Sequence, residues 1–326
     1  AGFEALYFGR IDYQDREKRI AESDMEMVWR ASRSLGEKAQ IFTGVFHSGN
    51  YGPPVGFCFD QACQDEPIMD DPLMADYNVE RRAGDFADAC EELGRHTRGD
   101  DVMLQMGGDF GFENANAWFK NLDLLMEAVN REGRVNVFYS TPEQYTRAKY
   151  ASGLQWGVKS DDFFPYADCP VGWYFNKRCR FASFCQNCYW TGYYSSRPGL
   201  KRLERVTSAY LQAARQLHAL TVARGRDEAA EDWQALAALE RAQALVQHHD
   251  GVSGTSKQHV AEDYAQRLDR ARVKAEALVS AALSSLAFGN GNGAGGVEVG
   301  GGRGDLTRLP VLTQCRLSNV SICDVT

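Results

Sequence analysis

The spacing of apolar and polar positions divides the chain into two parts of different character. As far as about residue 165, short apolar runs alternate with longer stretches of helical periodicity. The short runs predict strands over residues 3–9, 41–46, 102–106, 135–139 and 154–159. The stretches between them predict helices over residues 14–35, 79–96 and 114–131, and a further short helix from Pro142. Such alternation is typical of an α/β fold, in which helices cover a parallel sheet.

Residues 190–288 have a helical period throughout. Pro198 can occupy the first turn of one helix, and a second carries Trp233 and ends at His248 to Gly251. The string Thr255 to Gln258 matches a capping box that would open a third helix. Three helices with short connections predict an antiparallel three-helix bundle.

Two segments interrupt these patterns, at residues 169–188 and 289–305. The first is rich in cysteine and reads as an insert, favouring a lineage-specific loop or a retained intron. A zinc knuckle is the weaker alternative. Its ligands would be four cysteines whose spacing suits no common template, namely Cys169, Cys179, Cys185 and Cys188. The second segment is rich in glycine and is typical of a flexible linker.

Charge and hydropathy narrow the classes of partner. The formal net charge is −8, with 44 acidic against 36 basic residues, and no Lys/Arg block indicates a nucleic-acid surface. No run of 18 or more apolar residues predicts a membrane span. We therefore expect neither nucleic acid nor a membrane-spanning segment for this chain.

The most informative string is His248-His249-Asp250-Gly251, with its continuation to Val260. Adjacent residues on a helix point about 100° apart, so we expect only one of the two histidines to reach a given metal or substrate. The tripeptide alone is more typical of a polar helix end than of a metal site. The longer string and other blocks change that balance.

The chain resembles the class II α-mannosidases, glycoside hydrolase family 38, and among them most closely the lysosomal or vacuolar acid type. The resemblance runs through blocks in the family's order along nearly the whole chain. These blocks are residues 7–15 (YFGRIDYQD), 106–121 (MGGDFGFENANAWFKN), 139–142 (YSTP), 161–168 (DDFFPYAD), 190–198 (WTGYYSSRP) and 248–260.

This resemblance implies a domain order. Residues 1–168 would be the C-terminal part of a catalytic (β/α)7 barrel, and residues 189–288 the middle three-helix bundle. Residues 306–326 would begin a C-terminal β domain. The family's zinc-binding His-x-Asp and nucleophilic Asp have no match, so we expect a fragment that is inactive by itself and binds zinc weakly.

Asp109 is the candidate acid/base. A retaining glycosidase needs two carboxyl groups, one as nucleophile and one as acid/base. Asp109 follows a predicted strand and two glycines, and Phe110 and Phe112 flank it with apolar surface, which favours the work of a general acid. The alternative for an Asp at this place is a helix cap, but Asn114 can serve as that cap. In the family the matching Asp is the acid/base.

The resemblance also assigns a metal ligand and substrate contacts. His249 matches the family's histidine ligand to Zn²⁺, and His248 would support the site. Asp250 matches a residue that hydrogen-bonds sugar hydroxyls, and Arg10 matches an arginine near the nucleophile. Tyr51 matches a substrate-contacting tyrosine, and Trp190 an aromatic wall of the sugar pocket.

Further implications concern the compartment. The spacings of Cys58 with Cys63 and of Cys315 with Cys323 resemble disulfide loops of the lysosomal enzymes. Asn319 lies in a glycosylation sequon, and Cys90 falls in a helical pattern typical of a buried free thiol. We therefore expect the secretory pathway and a lysosome or vacuole.

Two functions of different class follow from these expectations. The first is zinc-dependent, retaining hydrolysis of terminal α-linked mannose from N-glycan-type oligosaccharides, with a homo-oligomer possible. The second is a catalytically inactive relative that acts as a glycan-binding or structural protein. An unrelated zinc hydrolase built on residues 248–250 leaves the other blocks unexplained.

Overall fold

The computed structural model describes residues 2–168, 189–227 and 229–288. The chain divides into two compact units, Ala1–Trp190 and a second that begins at Thr191. The cysteine-rich segment, the Gly-rich segment and the predicted start of a β domain lie outside the described residues. The predictions for Cys315, Cys323 and Asn319 lie there too.

A four-stranded sheet forms the centre of the first unit. Its strands are β1 (Ala5–Phe8), β2 (Glu26–Trp29), β3 (Ile41–Val45) and β4 (Val158–Lys159). They are ordered β1-β3-β2-β4. β1 pairs with β3 and β2 with β4 in parallel, whereas β2 runs antiparallel to β3. The fold of this unit is therefore mixed α/β, and the parallel sheet expected from the alternation holds for only two of the three pairings.

Four helices accompany the sheet, namely α1 (Tyr13–Ala21), α2 (Val79–Arg95), α3 (Ala115–Glu132) and α4 (Pro142–Ala151). Helix α4 begins where Pro142 predicts, because Thr141 and Gln144 form a capping box in front of it. Helices α2 and α3 pack on each other around buried side chains that include Phe86, Trp118 and Leu125.

The predicted helix over residues 14–35 is wrong in its second half. Helix α1 ends at Ala21, and Ser23 adopts a left-handed φ of 50° before β2 begins. Met25 and Met27 are each 1% exposed. Because β2 lies between β3 and β4, backbone pairing on both edges outweighs the local helical pattern.

The predicted strands 102–106 and 135–139 are also wrong, since the chain there has no ladder partner among the described residues. Both segments nonetheless contribute side chains to the core between α2 and α3, such as Leu104 and Val137. The predicted strand 154–159 is reduced to the two residues of β4. The closed (β/α)7 barrel stays a prediction.

A buried ion pair joins β2 to α4. The ammonium of Lys149, whose side chain is 1% exposed, lies 3.2 Å from Oε2 of Glu26. The hydroxyl of Tyr145 donates to Oε1 of Glu26 at 2.5 Å, and Lys149 donates to the carbonyl oxygen of Arg98 at 2.6 Å. Burial raises the pKa of Glu26.

The second unit consists of α5 (Pro198–Ala223), α6 (Ala230–Val246) and α7 (Gln258–Phe288). Each of the three helices contacts the other two, around a core that includes Leu239 and Leu268, both 0% exposed. The capping box predicted at Thr255 is wrong, because α7 begins at Gln258 and the Thr255 hydroxyl instead donates to Oδ1 of Asp250 at 2.6 Å. No helix among the described residues is long and apolar enough to cross a membrane.

Candidate active site

The end of β1 and the loop after β3 bring Arg10 and Tyr51 to the same edge of the sheet. β1 and β3 are parallel, so their carboxyl ends lie side by side. Gly9 and Asn50 then touch: a Cβ added at Gly9 would lie 2.9 Å from the Cα and N of Asn50. Only glycine allows this approach, by which the backbone segments carrying Arg10 and Tyr51 meet.

Tyr51 in turn contacts the candidate acid/base. Its hydroxyl donates a hydrogen bond to Oδ1 of Asp109. The neighbouring backbones also meet, since a Cβ at Gly52 would lie 3.9 Å from the carbonyl oxygen of Gly107. Tyr51 is 36% exposed and Asp109 is exposed as well. The carboxylate is thus held in one orientation and can still be reached by a ligand.

Asp109 occupies a tight turn. The amide of Gly111 donates to the carbonyl oxygen of Gly108 at 3.0 Å, so Asp109 and Phe110 are its two central residues. Phe110 and Phe112 have φ of 59° and 68°, left-handed values that cost a residue other than glycine about 1–3 kcal/mol each. Backbone strain is therefore concentrated within three residues of the candidate acid/base.

The two phenylalanines contribute less apolar cover than their sequence positions predict. Phe110 is 83% exposed, so its ring offers Asp109 little packed surface. Phe112 stacks on Trp118, with ring centroids 4.8 Å apart and an angle of 17° between the planes. The left-handed φ of Phe110 turns its side chain away from the core.

Arg10 and Trp190 also come together. The guanidinium carbon of Arg10 lies 4.9 Å from the ring centroid of Trp190 and 5.9 Å from that of Tyr166. Trp190 is placed by its amide, which donates to the carbonyl oxygen of Tyr166 at 3.0 Å. Burial, with a smaller contribution from Asp168, raises the pKa of Tyr166 to about 12, so its hydroxyl stays protonated at neutral and acid pH.

Tyr166 was not singled out as a site residue from the sequence, although it lies in one of the family-like blocks. The spacing of that block gives no indication that its ring faces Arg10. The bridge between Ala167 and Tyr189 places Tyr166 and Trp190 next to each other, and the Arg10 guanidinium lies near both rings.

In the second unit, His248, His249 and Asp250 form a separate cluster. Helix α6 ends at Val246, so both histidines lie in the turn that follows it. The expected 100° divergence therefore does not apply, and the two imidazole centroids are 4.3 Å apart. Nε2 of His248 lies 3.8 Å and Nε2 of His249 3.5 Å from Oδ2 of Asp250.

The backbone holds this turn closely. The amide of Gly251 donates to the carbonyl oxygen of His248 at 2.8 Å. A Cβ at Gly251 would lie 2.5 Å from the carbonyl oxygen of Val246, so only glycine fits there. The Ser253 hydroxyl donates to the carbonyl oxygen of His249.

The donor set of this cluster suits zinc. One ligand atom from each of the three residues can be chosen so that all lie within 4.8 Å of one another. Zinc accepts imidazole nitrogen and carboxylate oxygen at about 2.0–2.2 Å in tetrahedral geometry, which places ligand atoms roughly 3.4 Å apart. The distances from Nε2 of His248 and of His249 to Oδ2 of Asp250, 3.8 Å and 3.5 Å, are near that value.

A disulfide joins Cys58 and Cys63, whose Cα atoms are 5.9 Å apart. Cys90 is a buried free cysteine, and burial raises the pKa of its thiol to about 11. A thiol with so high a pKa forms little thiolate and is poorly reactive.

We expect Cys58 and Cys63 to be oxidised in protein made through a secretory pathway. A loop this short constrains the unfolded chain by about 2 kcal/mol, so its main effect is on local geometry. Alkylation of the unfolded protein, then non-reducing digestion and mass spectrometry, should find the 58–63 crosslink, with Cys90 alkylated as the free-thiol control. Alkylation of Cys58 and Cys63 to the same extent as Cys90 would contradict this prediction.

Comparison with known proteins follows the same division of the chain. Residues 1–169 match the model of the glycosyl hydrolases family 38 N-terminal domain, and residues 188–286 match that of the alpha mannosidase middle domain. A glycosyl hydrolase family 38 structure from Enterococcus faecalis aligns over 88% of this chain and 27% of its own, with 15% identity and a TM-score of 0.48.

The curated relatives are alpha-mannosidases. One from Arabidopsis thaliana is 48% identical over 285 residues, covering 87% of this chain and 26% of that relative. A probable alpha-mannosidase from the same plant is 44% identical over 99% of this chain and 28% of its own length. Human lysosomal alpha-mannosidase is 43% identical over 87% of this chain and 27% of its own. The chain thus spans less than a third of each of these relatives.

The match of the N-terminal domain model to residues 1–169 accounts by itself for more than half of the 326 residues. The protein therefore belongs to glycosyl hydrolase family 38.

Proposed function

We propose that the protein acts in a zinc-dependent, retaining α-mannosidase that removes terminal α-linked mannose from N-glycan-type oligosaccharides. The names of its relatives support the substrate, since plant and mammalian members matched along this chain are called alpha-mannosidases. The lysosomal names of the mammalian relatives support a lysosome or vacuole as the compartment.

The observation that carries the proposal is the arrangement at the edge of the sheet. Asp109 accepts a hydrogen bond from Tyr51, and Arg10 lies beside Trp190. A half-exposed indole offers a sugar ring an apolar face, and a guanidinium offers its hydroxyls a planar fork of donors. Asp109 would give a proton to the leaving-group oxygen and later take one from water.

His249 would hold zinc, with Asp250 hydrogen-bonding mannose hydroxyls and His248 supporting the turn. When bound, the metal would orient and polarise vicinal hydroxyls of the sugar rather than generate a hydroxide nucleophile. The ligand atom that His249 offers in the cluster supports its part of this assignment.

We expect the 326-residue chain to bind zinc only weakly. His249 is a single assigned ligand where a catalytic zinc normally takes three from the protein, and its side chain is 56% exposed, so water competes for the metal. Titration calorimetry should show weak binding that His249→Ala abolishes. His259→Ala, the same change at an exposed histidine on α7, should leave it unaltered. Tight stoichiometric binding, or binding indifferent to His249→Ala, would overturn this prediction.

The second candidate function is glycan binding without hydrolysis. It is favoured by the exposure of Trp190 (46%) and Tyr51 (36%), because aromatic stacking on a sugar needs no reactive carboxylate. Such a protein would retain affinity for mannose oligosaccharides and release no product.

The deciding experiment follows an aryl α-mannoside by proton NMR with full-length protein, because the 326-residue chain is expected to be inactive by itself. The α-mannosidase proposal expects release of the aryl alcohol with α-mannose as the first product, and no reaction with the matching β-mannoside. Binding of a mannose oligosaccharide without any release favours the second function. Initial formation of β-mannose would exclude a retaining mechanism.

A further inference from the structure

We propose that Asp60 is a positioning residue that holds the turn carrying Asp109. This inference rests on the proposed function, in which Asp109 is the acid/base. Asp60 belongs to none of the family-like blocks that suggested the site, and it lies in the loop closed by the Cys58–Cys63 disulfide.

The carboxylate of Asp60 connects the disulfide loop to the segment around Asp109. Its Oδ2 accepts from the indole Nε1 of Trp118 at 2.8 Å and from the amide of Phe112 at 3.2 Å. Its Oδ1 accepts from the amide of Ala62 at 3.2 Å. These hydrogen bonds, with that of Trp118 the largest, lower the pKa of Asp60, so the carboxylate stays charged in mildly acid solution.

The segment around Asp109 needs contacts from outside it to keep its conformation. Gly107, Gly108 and Gly111 give its backbone much conformational freedom, and Phe110 and Phe112 are in left-handed conformations. Strained backbone persists only where surrounding contacts determine it. The Asp60 carboxylate is such a contact, because it fixes the Phe112 amide and also the Trp118 ring on which Phe112 stacks.

Asp60 is itself fixed by the loop around it. The amide of Cys63 donates to the carbonyl oxygen of Asp60 at 3.1 Å, and the disulfide closes this turn. The connection therefore runs from the disulfide to Asp60, from Asp60 to Phe112, and along the turn to Asp109. Tyr51 holds the Asp109 side chain, and Asp60 holds the backbone that carries it.

Asp60→Asn tests this connection, with Asp65→Asn as the matched control. Both changes remove one carboxylate charge from the same segment, but Asp65 accepts from the Cys58 amide, at 2.9 Å, rather than from the turn. Hydrogen bonds to a charged group are strong enough that Asp60→Asn should speed hydrogen exchange at the Phe112 amide and Trp118 indole about 10- to 100-fold. Asp65→Asn, which weakens only the hydrogen bond to the Cys58 amide, should change both rates far less.

Circular dichroism would reveal whether Asp60→Asn fails to fold. A second variant then still tests the proposal. The double change Cys58→Ser with Cys63→Ser keeps Asp60 but opens its loop, and it should also speed exchange at the Phe112 amide. If neither variant alters that exchange, Asp60 does not hold the turn and the proposal is overturned. These measurements need no catalytic activity, so they stand even if the protein hydrolyses no mannoside.

Kinetics in an active form of the protein separate positioning from mere stability. Misplacing Asp109 should lower kcat about tenfold or more for a mannoside with a poor leaving group, and far less for a dinitrophenyl mannoside that needs little protonation. KM should change little, and Asp65→Asn should behave like the unaltered protein. An equal loss with both substrates would show a general structural role and overturn the proposal.

Discussion

Asp109→Asn is expected to slow hydrolysis of ordinary α-mannosides about 10²–10⁴-fold in an active form of the protein. Asparagine has nearly the same shape and can still accept the hydrogen bond that Tyr51 donates. It cannot supply a proton to the leaving-group oxygen. The loss should therefore come from the missing proton and not from a collapsed turn.

The leaving group provides the decisive comparison for Asp109→Asn. A mannoside with a very acidic leaving group needs little protonation, so formation of the glycosyl-enzyme should largely survive. Hydrolysis of the glycosyl-enzyme should then become rate-limiting, because the acid/base residue at position 109 would also act as the base in this second step. A burst of aryl alcohol followed by a slow steady rate is the expected progress curve.

His249→Ala provides the contrast for this prediction. If His249 holds zinc as proposed, its loss should weaken metal and substrate binding for both kinds of leaving group alike. If Asp109→Asn instead slows both substrates equally, with no change of limiting step, then Asp109 only positions the substrate and its assignment as acid/base is wrong.

The sequence predicted those helices whose ends or periodicity are determined by residues within them or next to them. Helix α4 begins at Pro142 because a capping box precedes it, and helix α2 ends at Arg95, within one residue of its prediction. The periodicity of residues 190–288 likewise indicated three helices, and the described residues of that range form three α-helices. In each case the residues that determine the element lie within it or next to it.

Long-range pairing accounts for the elements that sequence reasoning missed. The segment of β2 has apolar residues at positions that suit a helix, and only its hydrogen bonds to β3 and β4 make it a strand. The role of Asp60 cannot be predicted from the sequence for the same reason, since its partners Phe112 and Trp118 lie more than fifty residues further along the chain. Its own neighbours in sequence indicate only a short disulfide loop.

The candidate site residues depend on both local sequence signals and long-range pairing. Asp109 and His249 are candidates because each sits in a long characteristic string. The contact of Tyr51 with Asp109 joins residues 58 apart in the chain, and that of Arg10 with Trp190 depends on the bridge between Ala167 and Tyr189. The residue types at a site can thus be predicted from blocks of sequence, whereas their pairings require the fold.

Lys149→Met is expected to destabilise the protein by about 3–5 kcal/mol at neutral pH, the usual cost of removing one partner of a buried ion pair. The ammonium of Lys149 is 3.2 Å from Glu26, and both side chains are less than a tenth exposed. Methionine fills a similar volume but leaves the Glu26 carboxylate buried without its counter-charge. Urea unfolding measured at neutral pH gives the loss directly.

The dependence on pH distinguishes this cause from poor packing. Burial raises the pKa of Glu26 in the folded protein, and the positive charge of Lys149 opposes that rise. Without Lys149 the pKa is higher still. A carboxyl group whose folded pKa is raised contributes stability below its unfolded pKa, and that contribution is lost as pH rises through the folded value. The cost of Lys149→Met should therefore shrink markedly at about pH 4, where Glu26 is protonated.

Lys159→Met is the matched control. Lys159 also has little exposed side chain, 9%, but its partner Asp161 is 80% exposed and stays solvated when the lysine is removed. This change should cost only about 0–1 kcal/mol, with little dependence on pH. Adding Glu26→Gln to Lys149→Met should restore part of the lost stability, because no charge is then left buried. If Lys149→Met costs the same at both pH values, or no more than Lys159→Met, then the Glu26–Lys149 pair does not hold β2 to α4 electrostatically.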